Sequence, residues 1–390
     1  MTTRSIDNRG ERAPAIQPAV NAEDRPTRAV IDLSALEHNF KEVMRRAEGR
    51  KVLAVVKAGA YGHGAVRVSG HLLKLGAEML GVALVEEGRE LREAGIDAPI
   101  LVMGALFPEQ AAAVIKLRLT PVLYNMAVAQ ALSTAAKKLQ AKVPVHVKID
   151  TGMGRIGIAP EEAPDFIAAL CRLPGIDAQG LMTHFAEADL RDKKYASKQL
   201  DRFEALVKEL DARGISIPVR HAANSAALLD YRRALFTMVR PGLMLYGYNP
   251  LETGGNAGLK PALSLVTRIA YLKSVSAGIP ISYGRTFVTR RESRIATLPI
   301  GYADGYSRSL SNTGEAIVRG VRVPVVGRVC MDMCMIDVTD VPGVSEEDVV
   351  VLIGSQGSEL ITADVIAAKT GTIAYEVLCG ISSRVPRIYQ

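Results

Sequence analysis

The chain has 390 residues, of which 48% are hydrophobic and 23% are charged, as is typical of a globular protein with more than one domain. Its formal net charge of +7 comes from basic residues that are scattered along the chain, so the sequence argues against a nucleic-acid surface. No segment has the apolar length of a membrane span, and the four cysteines lack the spacing of a metal site, so we expect a cytoplasmic protein without a bound metal.

The first 27 residues are polar and contain several prolines. They lack the apolar core of a signal peptide. We therefore predict that residues 1–27 form a flexible tail.

The segment VLAVVKAGAYGHG, residues 52–64, joins an aliphatic run to a lysine and three glycines. The run at 52–56 is short and rich in β-branched residues, which predicts a strand buried on both faces of a parallel sheet. Lys57 therefore lies at the carboxyl end of the strand, where the glycines turn the chain. Because a lysine at a strand end can simply reach into solvent, this segment alone does not assign it a role.

Short apolar runs alternate with segments of helical periodicity from residue 52 to about residue 246. Eight runs are expected to form strands, at residues 52–56, 79–84, 99–103, 120–123, 143–149, 180–183, 218–220 and 238–246. Between them lie amphipathic segments such as KQLDRFEALVKELDARG, which keeps one apolar helical face up to Gly214. Eight strand–helix units in roughly 200 residues predict an α/β fold, a (β/α)8 TIM barrel, over residues 28–255.

The pattern changes after residue 255. The segments that follow, for example AIVRGVRVPVVGRVCMDMCMIDVTD, alternate in polarity, are rich in valine and are separated by turn residues. This pattern predicts a mostly β C-terminal domain over residues 256–390.

The predicted strand ends carry many polar side chains, and in a TIM barrel the carboxyl ends of the strands form the active site. These residues are Lys57, Lys148, Asp150, His184, His221, Asn224, Ser225 and Arg240. Any one of them could be structural, but burial of so many polar and charged groups at one face is costly unless they serve a site.

The segments after the seventh and eighth predicted strands, NSAA and RPGLMLYG, lie where barrels commonly bind phosphate. Ser225 supplies a hydroxyl there, and Gly242 lets backbone N–H groups approach an anion. A phosphate site beside a buried lysine suggests pyridoxal 5′-phosphate (PLP), held by Lys57 as a Schiff base.

Nine motifs carry a resemblance to a known family: VVKAGAYGHG, KIDTGMGRIG, THFA, HAANSAALL, MVRPGLMLYG, SYGRTF, PIGYADGYSR, VVGRVCMDMCMIDVT and AYEVLCGISSRVPR. Together they resemble alanine racemases from about residue 28 to the end. The resemblance implies an isomerase that interconverts L- and D-alanine with PLP, works as a homodimer with shared active sites, and makes D-alanine as a peptidoglycan precursor. It also implies that the first strand, residues 28–34, packs with the β domain.

The resemblance also implies a set of cofactor contacts. Lys57 would bind the cofactor covalently, and Arg240, oriented by His184, would face the pyridine nitrogen. The remaining cofactor-binding residues would be Tyr61, Asn224, Ser225, Gly242, Leu243 and Tyr375. Because an arginine does not readily give up its proton, the pyridine nitrogen would stay unprotonated.

Racemisation removes a proton from one face of a carbon and delivers another to the opposite face, so two acid–base groups are the natural solution. The resemblance implies that Lys57 is one of them and that Tyr302 from the partner subunit is the other. Arg155 and the backbone at Met331 would bind the substrate carboxylate. Lys148 is a candidate for carbamylation, which would turn it into an anion that pairs with Arg155.

Two positions depart from the family pattern. Gly59 stands where the family usually has asparagine, and Thr237 stands where aspartate is common. Loss of the amide at position 59 is expected to loosen the turn after Lys57 or to widen the pocket, without changing the class of reaction.

Several alternatives remain open at this point. A PLP-dependent amino-acid decarboxylase of related fold would carry a catalytic cysteine and a glycine-rich phosphate loop where Tyr302 and NSAA stand. A PLP-binding regulatory or carrier protein would need only the barrel, so the β domain argues against it. The motifs do not distinguish alanine from serine or a wider set of amino acids, nor a biosynthetic from a catabolic role.

Overall fold

The computed structural model describes residues 25–254 and 257–390. One strand, β1 (Arg28–Ile31), precedes an eight-stranded parallel sheet. The strands of this sheet are β2 (Lys51–Val55), β3 (Met79–Val82), β4 (Ile100–Val102), β5 (Thr120–Leu123), β6 (Val143–Lys148), β7 (Ile176–Met182), β8 (Val219–His221) and β9 (Met238–Val239). Each strand from β2 to β7 pairs with the next in the chain, and β9 returns to pair with β2. The predicted TIM barrel is confirmed.

Two backbone hydrogen bonds link the ends of this sheet. Thr237 N donates to Arg220 O at 3.0 Å, and Arg240 N donates to Ala223 O at 2.9 Å. They lie on either side of the point where β8 and β9 approach each other. The barrel is therefore nearly closed.

The predicted bounds of two barrel strands are wrong. The eighth was expected over residues 238–246, but β9 ends at Val239, because Pro241 has no N–H to donate and residues Leu243–Tyr246 form a 3₁₀ helix. The sixth begins at Ile176 rather than at residue 180. Its first residues include Asp177 and Gln179, so they do not read as an apolar run.

Helical segments alternate with the strands of the barrel. They are α1 (Leu33–Ala47), α2 (Lys57–Tyr61), α3 (Ala65–Lys74), α4 (Val85–Glu93), α5 (Ala111–Lys116), α6 (Met126–Leu139), α7 (Ala163–Cys171), α8 (Lys194–Ala212) and α9 (Ser225–Asp230). The helix predicted from KQLDRFEALVKELDARG is α8, and its apolar face is buried. Across the two described ranges, no helix has the length and apolarity needed to cross a membrane.

The C-terminal part of the chain is mostly β. Its strands are β10 (Leu263–Arg268), β11 (Tyr271–Val275), β12 (Pro280–Ile281), β13 (Phe287–Val288), β14 (Ser293–Leu298), β15 (Glu315–Val318), β16 (Val321–Pro324), β17 (Cys334–Asp337), β18 (Val349–Gln356), β19 (Glu359–Ile361) and β20 (Arg387–Tyr389). Two short helices, α10 (Ala363–Thr370) and α11 (Ala374–Cys379), lie between β19 and β20. The largest sheet in this part of the chain has the order β16-β15-β18-β10-β1-β20, and β19 pairs with β18. The N-terminal strand β1 therefore pairs with β10 and β20 of the β domain.

The last three residues of the predicted flexible tail, residues 25–27, are fixed in the structure. Residues 1–24 lie outside the described residues, as does the domain boundary predicted at 255 and 256. Thr27, however, is fully buried, and its hydroxyl bonds to the Thr267 hydroxyl and to Pro299 O, both at 2.8 Å. Arg25 bonds to the buried carboxylate of Asp304. These contacts fix residues 25–27 on the β domain.

Candidate active site

A cavity of about 420 Å³ opens at the carboxyl ends of the barrel strands. It brings together the residues to which the resemblance gave a role, except Tyr302 and Met331, whereas the strand-end residues Asp150 and His221 do not line it. The predicted residues that line it are Lys57, Tyr61, Lys148, Arg155, His184, Asn224, Ser225, Arg240, Gly242, Leu243 and Tyr375. Four of these side chains are basic, and two of them are arginines, so the cavity suits an anionic ligand.

Lys57 begins α2, which is a left-handed turn rather than an ordinary helix. The φ angles of Ala58, Gly59, Ala60 and Tyr61 lie between 52° and 61°. Each non-glycine residue in this conformation costs about 1–2 kcal/mol, so the turn must be held by its surroundings. Gly59 adopts it without that cost.

Two side chains hold the left-handed turn. The Glu87 carboxylate accepts from Ala58 N at 2.6 Å and from Leu84 N at 3.0 Å, which ties the turn to the start of α4. The buried His63 ring donates from Nδ1 to Tyr61 O at 2.9 Å. Burial lowers the pKa of His63 to about 4, so the ring is neutral and has a single N–H to donate. The loosening expected from Gly59 stays a prediction.

The environment of Lys57 favours its neutral amine. Burial lowers the pKa of Lys57, and the charge of Arg155 lowers it further, while Glu87 acts in the opposite direction. A neutral amine can act as a base or as a nucleophile toward a carbonyl compound.

Ser225 and Gly242 form a corner of the cavity that could accommodate an anion. Ser225 Oγ accepts from Gly242 N at 2.8 Å and from Met244 N at 3.3 Å, so the hydroxyl proton is left to donate to a ligand. A Cβ at position 242 would lie 2.5 Å from the Tyr61 hydroxyl oxygen, so only glycine leaves room for the tyrosine.

Tyr61 and Tyr375 bring two further hydroxyl groups to this side of the cavity. Their ring centroids are 5.8 Å apart, and Tyr61 also packs on Tyr246 at 4.9 Å. Burial raises the pKa of Tyr375 to about 12 and raises that of Tyr61 further. Both hydroxyl groups therefore stay protonated and can donate hydrogen bonds to an anion.

Arg240 is buried below the cavity and has an acceptor for each terminal nitrogen. Nη1 donates to His221 Nδ1 at 3.0 Å, and Nη2 donates to Thr183 O at 2.8 Å and to His184 Nδ1 at 3.3 Å. Burial lowers the pKa of Arg240 to about 10, so it remains charged at neutral pH. Burial and nearby cations lower the pKa of both histidines, which accept from Arg240 as neutral rings.

The contact between His184 and Arg240 agrees with the predicted pairing, but His221 makes the shorter one. Because His221 Nδ1 accepts from Arg240, its proton is on Nε2, which donates to His146 Nδ1 at 2.8 Å. A chain of hydrogen bonds therefore runs from Arg240 through His221 to His146.

His146 was not predicted from the sequence. His221 was predicted to lie at a strand end, but no role was assigned to it. His146 lies inside β6, opposite Gly180 of β7. A Cβ at position 180 would lie 2.3 Å from the His146 ring, so the glycine makes room for the imidazole. A histidine inside an apolar strand, facing a glycine on the next strand, was the available signal.

Lys148, at the end of β6, is buried among cations. Burial lowers its pKa well below the usual value, and the charges of Arg240 and Arg155 lower it further. Arg155 follows a turn in which the Asp150 carboxylate accepts from the amides of Gly152, Met153 and Gly154, at 2.8–3.1 Å. This turn carries Arg155 to the cavity.

Tyr302 and Met331 lie on the β domain and do not line the cavity around Lys57. Tyr302 is 42% exposed and Met331 is 53% exposed. Their segments are joined to each other, because Tyr302 N donates to Cys330 O and Ala303 N donates to Met331 O, both at 3.0 Å. Within the described residues of one chain, the site therefore lacks both groups.

Thr237, which stands where aspartate is common in the family, lies far from the cavity mouth. Its hydroxyl accepts from Arg220 N at 2.7 Å, just before β9. Since the site lies at the other end of that strand, this substitution is local to the barrel wall.

Comparisons with known proteins cover both parts of the chain. Residues 31–250 match the family described as alanine racemase, N-terminal domain, and residues 262–389 match alanine racemase, C-terminal domain. An alanine racemase of Halothermothrix orenii is 50% identical over 368 residues, which is 94% of this chain and 97% of that protein. One of Methanococcus maripaludis is 45% identical over 93% of this chain and 98% of that protein.

Solved structures agree with the sequence comparisons. The alanine racemase of Clostridium difficile 630 has a TM-score of 0.89 at 41% identity, covering 94% of this chain and 96% of that one. The alanine racemase of Bacillus anthracis with bound L-Ala-P has a TM-score of 0.87 at 38% identity, covering 94% of this chain and 95% of that one.

Proposed function

Because the chain belongs to the alanine racemase family, we propose that it interconverts L-alanine and D-alanine with pyridoxal 5′-phosphate as its cofactor. The observation that carries the proposal is the cavity at the barrel mouth, where Lys57, with a lowered pKa, meets an anion-binding corner and Arg240.

The residues of the cavity fit pyridoxal 5′-phosphate. Its phosphate would be bound by the Ser225 hydroxyl, by the Tyr61 and Tyr375 hydroxyls, and by the segment of Gly242 and Leu243. Asn224 lines the same corner, and its side chain caps α9 by accepting from Ala227 N at 3.0 Å. Lys57 would bind the cofactor covalently through its amine, whose pKa is lowered by burial.

Arg240 would face the pyridine nitrogen. It is held by His184, His221 and the carbonyl of Thr183, so its position does not depend on the ligand. Because it stays protonated near neutral pH, it would donate a hydrogen bond and leave the ring nitrogen without a proton. The ring would then withdraw electrons less strongly, which limits side reactions.

When bound, the cofactor would supply an electron-withdrawing group that makes the α-proton of the amino acid removable. Lys57 would take or give that proton on one face of the α-carbon, and the partner subunit's Tyr302 would do so on the other. Arg155 and the backbone at Met331 would hold the substrate carboxylate between them.

The shared site requires a homodimer. Tyr302 and Met331 are exposed in the single chain, and Met331 lines a surface cavity of about 530 Å³ with Tyr283 and Met333, which are also exposed. An exposed apolar surface of this kind is typical of an interface. Dimerisation would cover it and bring Tyr302 to the partner's Lys57.

We further propose that the protein works in the cytoplasm and supplies D-alanine for peptidoglycan. The four cysteines are thiols without disulfide bonds, and a reducing compartment would preserve them.

We expect Lys148 to carry a carbamate. Its lowered pKa favours the neutral amine, which can add carbon dioxide with loss of a proton, and the resulting anion would pair with the nearby Arg155. The protein equilibrated with ¹³C-bicarbonate should show a carbamate carbon signal by NMR, and Lys148→Ala should lack it. The absence of that signal from the unchanged protein at saturating bicarbonate would rule the modification out.

A chiral assay tests the proposed function. The PLP-loaded protein should convert L-alanine into an equal mixture of the two enantiomers, because the enantiomers have equal free energy, and should incorporate deuterium at the α-carbon in D₂O. Serine, lysine and arginine serve as comparison substrates. Faster turnover of lysine or arginine, or release of carbon dioxide from alanine, would contradict the proposal.

A further inference from the structure

Asp304 is a fully buried carboxylate two residues after Tyr302. Its Oδ2 accepts from Gly301 N at 3.1 Å, which closes the turn that carries Tyr302. Its Oδ1 accepts from Arg25 Nη2 at 2.8 Å. A buried charge is stable only when it is paired and hydrogen-bonded, so the turn depends on the cation that reaches Asp304.

Arg25 is the nearer of two cations at this carboxylate. Arg384 Nε lies 3.4 Å from the same oxygen, but its side chain is 47% exposed, against 18% for Arg25. Arg25 also donates to Arg384 O at 2.6 Å and to Pro299 O at 3.4 Å. It therefore joins the two ends of the Tyr302 turn, at Pro299 and Asp304, to the C-terminal segment.

The Tyr302 turn is also fixed to the segment that carries Met331. Besides the two backbone bonds from Tyr302 and Ala303, a Cβ at Gly301 would lie 2.3 Å from the carbonyl oxygens of Cys330 and Met331, so the two segments pack at backbone distance. Arg384 adds an ion pair to Asp332 at 2.8 Å. The turn that carries Tyr302 and the segment that carries Met331 thus form one packed unit, the Tyr302–Met331 block. The buried charge of this block is Asp304.

From these contacts we infer that Arg25 is a positioning residue, which holds the Tyr302–Met331 block in place through Asp304. The inference rests on the proposed function, because it gives Arg25 a part in catalysis only if Tyr302 transfers a proton. It assigns a role to the segment just before β1, more than 270 residues from Tyr302 in the sequence. Arg25 itself touches neither reacting group.

The test compares Arg25→Ala and Arg25→Lys with Arg28→Ala, all as PLP-loaded dimers. Arg28 is three residues further on, in β1, so its replacement removes the same charge without removing the bond to Asp304. We expect kcat of Arg25→Ala to fall by roughly 10- to 100-fold, because displacement of a reacting group by about 1 Å has that effect. Arg25→Lys should recover part of the loss, and Arg28→Ala should resemble the unchanged enzyme.

Two further readouts separate positioning from a general loss of stability. With α-deuterated alanine, the kinetic isotope effect of Arg25→Ala should rise for the enantiomer whose proton Tyr302 removes and should change little for the other. Hydrogen exchange should become faster at the amides of Tyr302 and Ala303, while the barrel strands keep their protection.

The outcomes distinguish the inference from the proposed function. An unchanged protein that does not racemise alanine, or a fully active Tyr302→Phe variant, would overturn the proposed function. If Tyr302→Phe is inactive while Arg25→Ala keeps its kcat, isotope effects and amide exchange, only the inference is overturned. Equal changes in both isotope effects together with a lower melting temperature would also overturn it, since they indicate a general structural role.

Discussion

Replacement of Lys57 by alanine is expected to abolish racemisation, with a loss of at least about 10⁴-fold in kcat. Lys57 has two roles in the proposed reaction, since its amine would bind the cofactor and would also transfer a proton. Acid–base groups alone contribute roughly 10²–10⁴-fold, and the loss of cofactor attachment adds to that. The measurement is the initial rate of D-alanine formation from L-alanine with excess cofactor.

Lys51→Ala provides the matched control, because Lys51 begins the same strand, β2, and its exposed side chain lies at the opposite end of the strand from Lys57. It should racemise alanine at the normal rate. Borohydride reduction followed by peptide mass mapping should place a pyridoxyl group on Lys57 of the unchanged protein. A pyridoxyl group found on another lysine would contradict the assignment.

Replacement of Tyr302 by phenylalanine should lower kcat by about 10²–10⁴-fold in both directions, because it removes only the hydroxyl that would transfer the second proton in the proposed reaction. The ring is retained, so the exposed aromatic surface is nearly unchanged. Rates from L-alanine and from D-alanine, measured separately, check the effect. Tyr271→Phe, another exposed tyrosine of the β domain, should keep full activity.

The sequence predicted the barrel well because its signals are local. Buried strands of a parallel sheet read as continuous aliphatic runs, and the amphipathic face of α8 is visible in the spacing of its apolar residues. The apolar runs gave the wrong strand bounds where a strand is short or partly exposed, as at β9 and at the start of β7. At these positions the strand bounds depend on the neighbouring strand with which the residues pair, rather than on residue type.

Several of the cavity residues could be predicted because the barrel brings the carboxyl ends of its strands to one face. The resemblance to alanine racemases, rather than the barrel pattern, supplied Tyr61, Arg155, Leu243 and Tyr375. The residues that were missed act through partners on other strands. His146 is recognised as part of the site only when Gly180 is seen beside it and His221 above it. The glycines predicted a turn after Lys57, but its left-handed conformation also depends on Glu87 and His63, which the local sequence pattern does not indicate.

The structure of the N-terminal segment also depends on contacts with residues that are distant in the sequence. Composition suggested that the chain is flexible up to residue 27, because polar residues and prolines cannot bury much apolar surface. Arg25 and Thr27 are instead fixed by hydrogen bonds to Asp304 and Thr267, far away in the sequence. Long-range polar contacts of this kind leave no periodic signal.

The central claim is that each active site takes Lys57 from one subunit and Tyr302 from the other, and mixing two inactive homodimers tests it most directly. Lys57→Ala and Tyr302→Phe dimers are combined in equal amounts and allowed to exchange subunits. Each mixed dimer would contain one site with both groups and one site with neither. Random exchange makes about half of the dimers mixed, so about a quarter of the normal activity should return.

If Tyr302 served the Lys57 of its own chain, every site in the mixture would still lack one group. Subunit exchange is therefore followed independently, by native mass spectrometry of the two variants. We expect mixed dimers and about a quarter of the normal rate of racemisation, in keeping with the two-fold arrangement. Mixed dimers that form in the expected proportion and remain inactive would contradict the shared site.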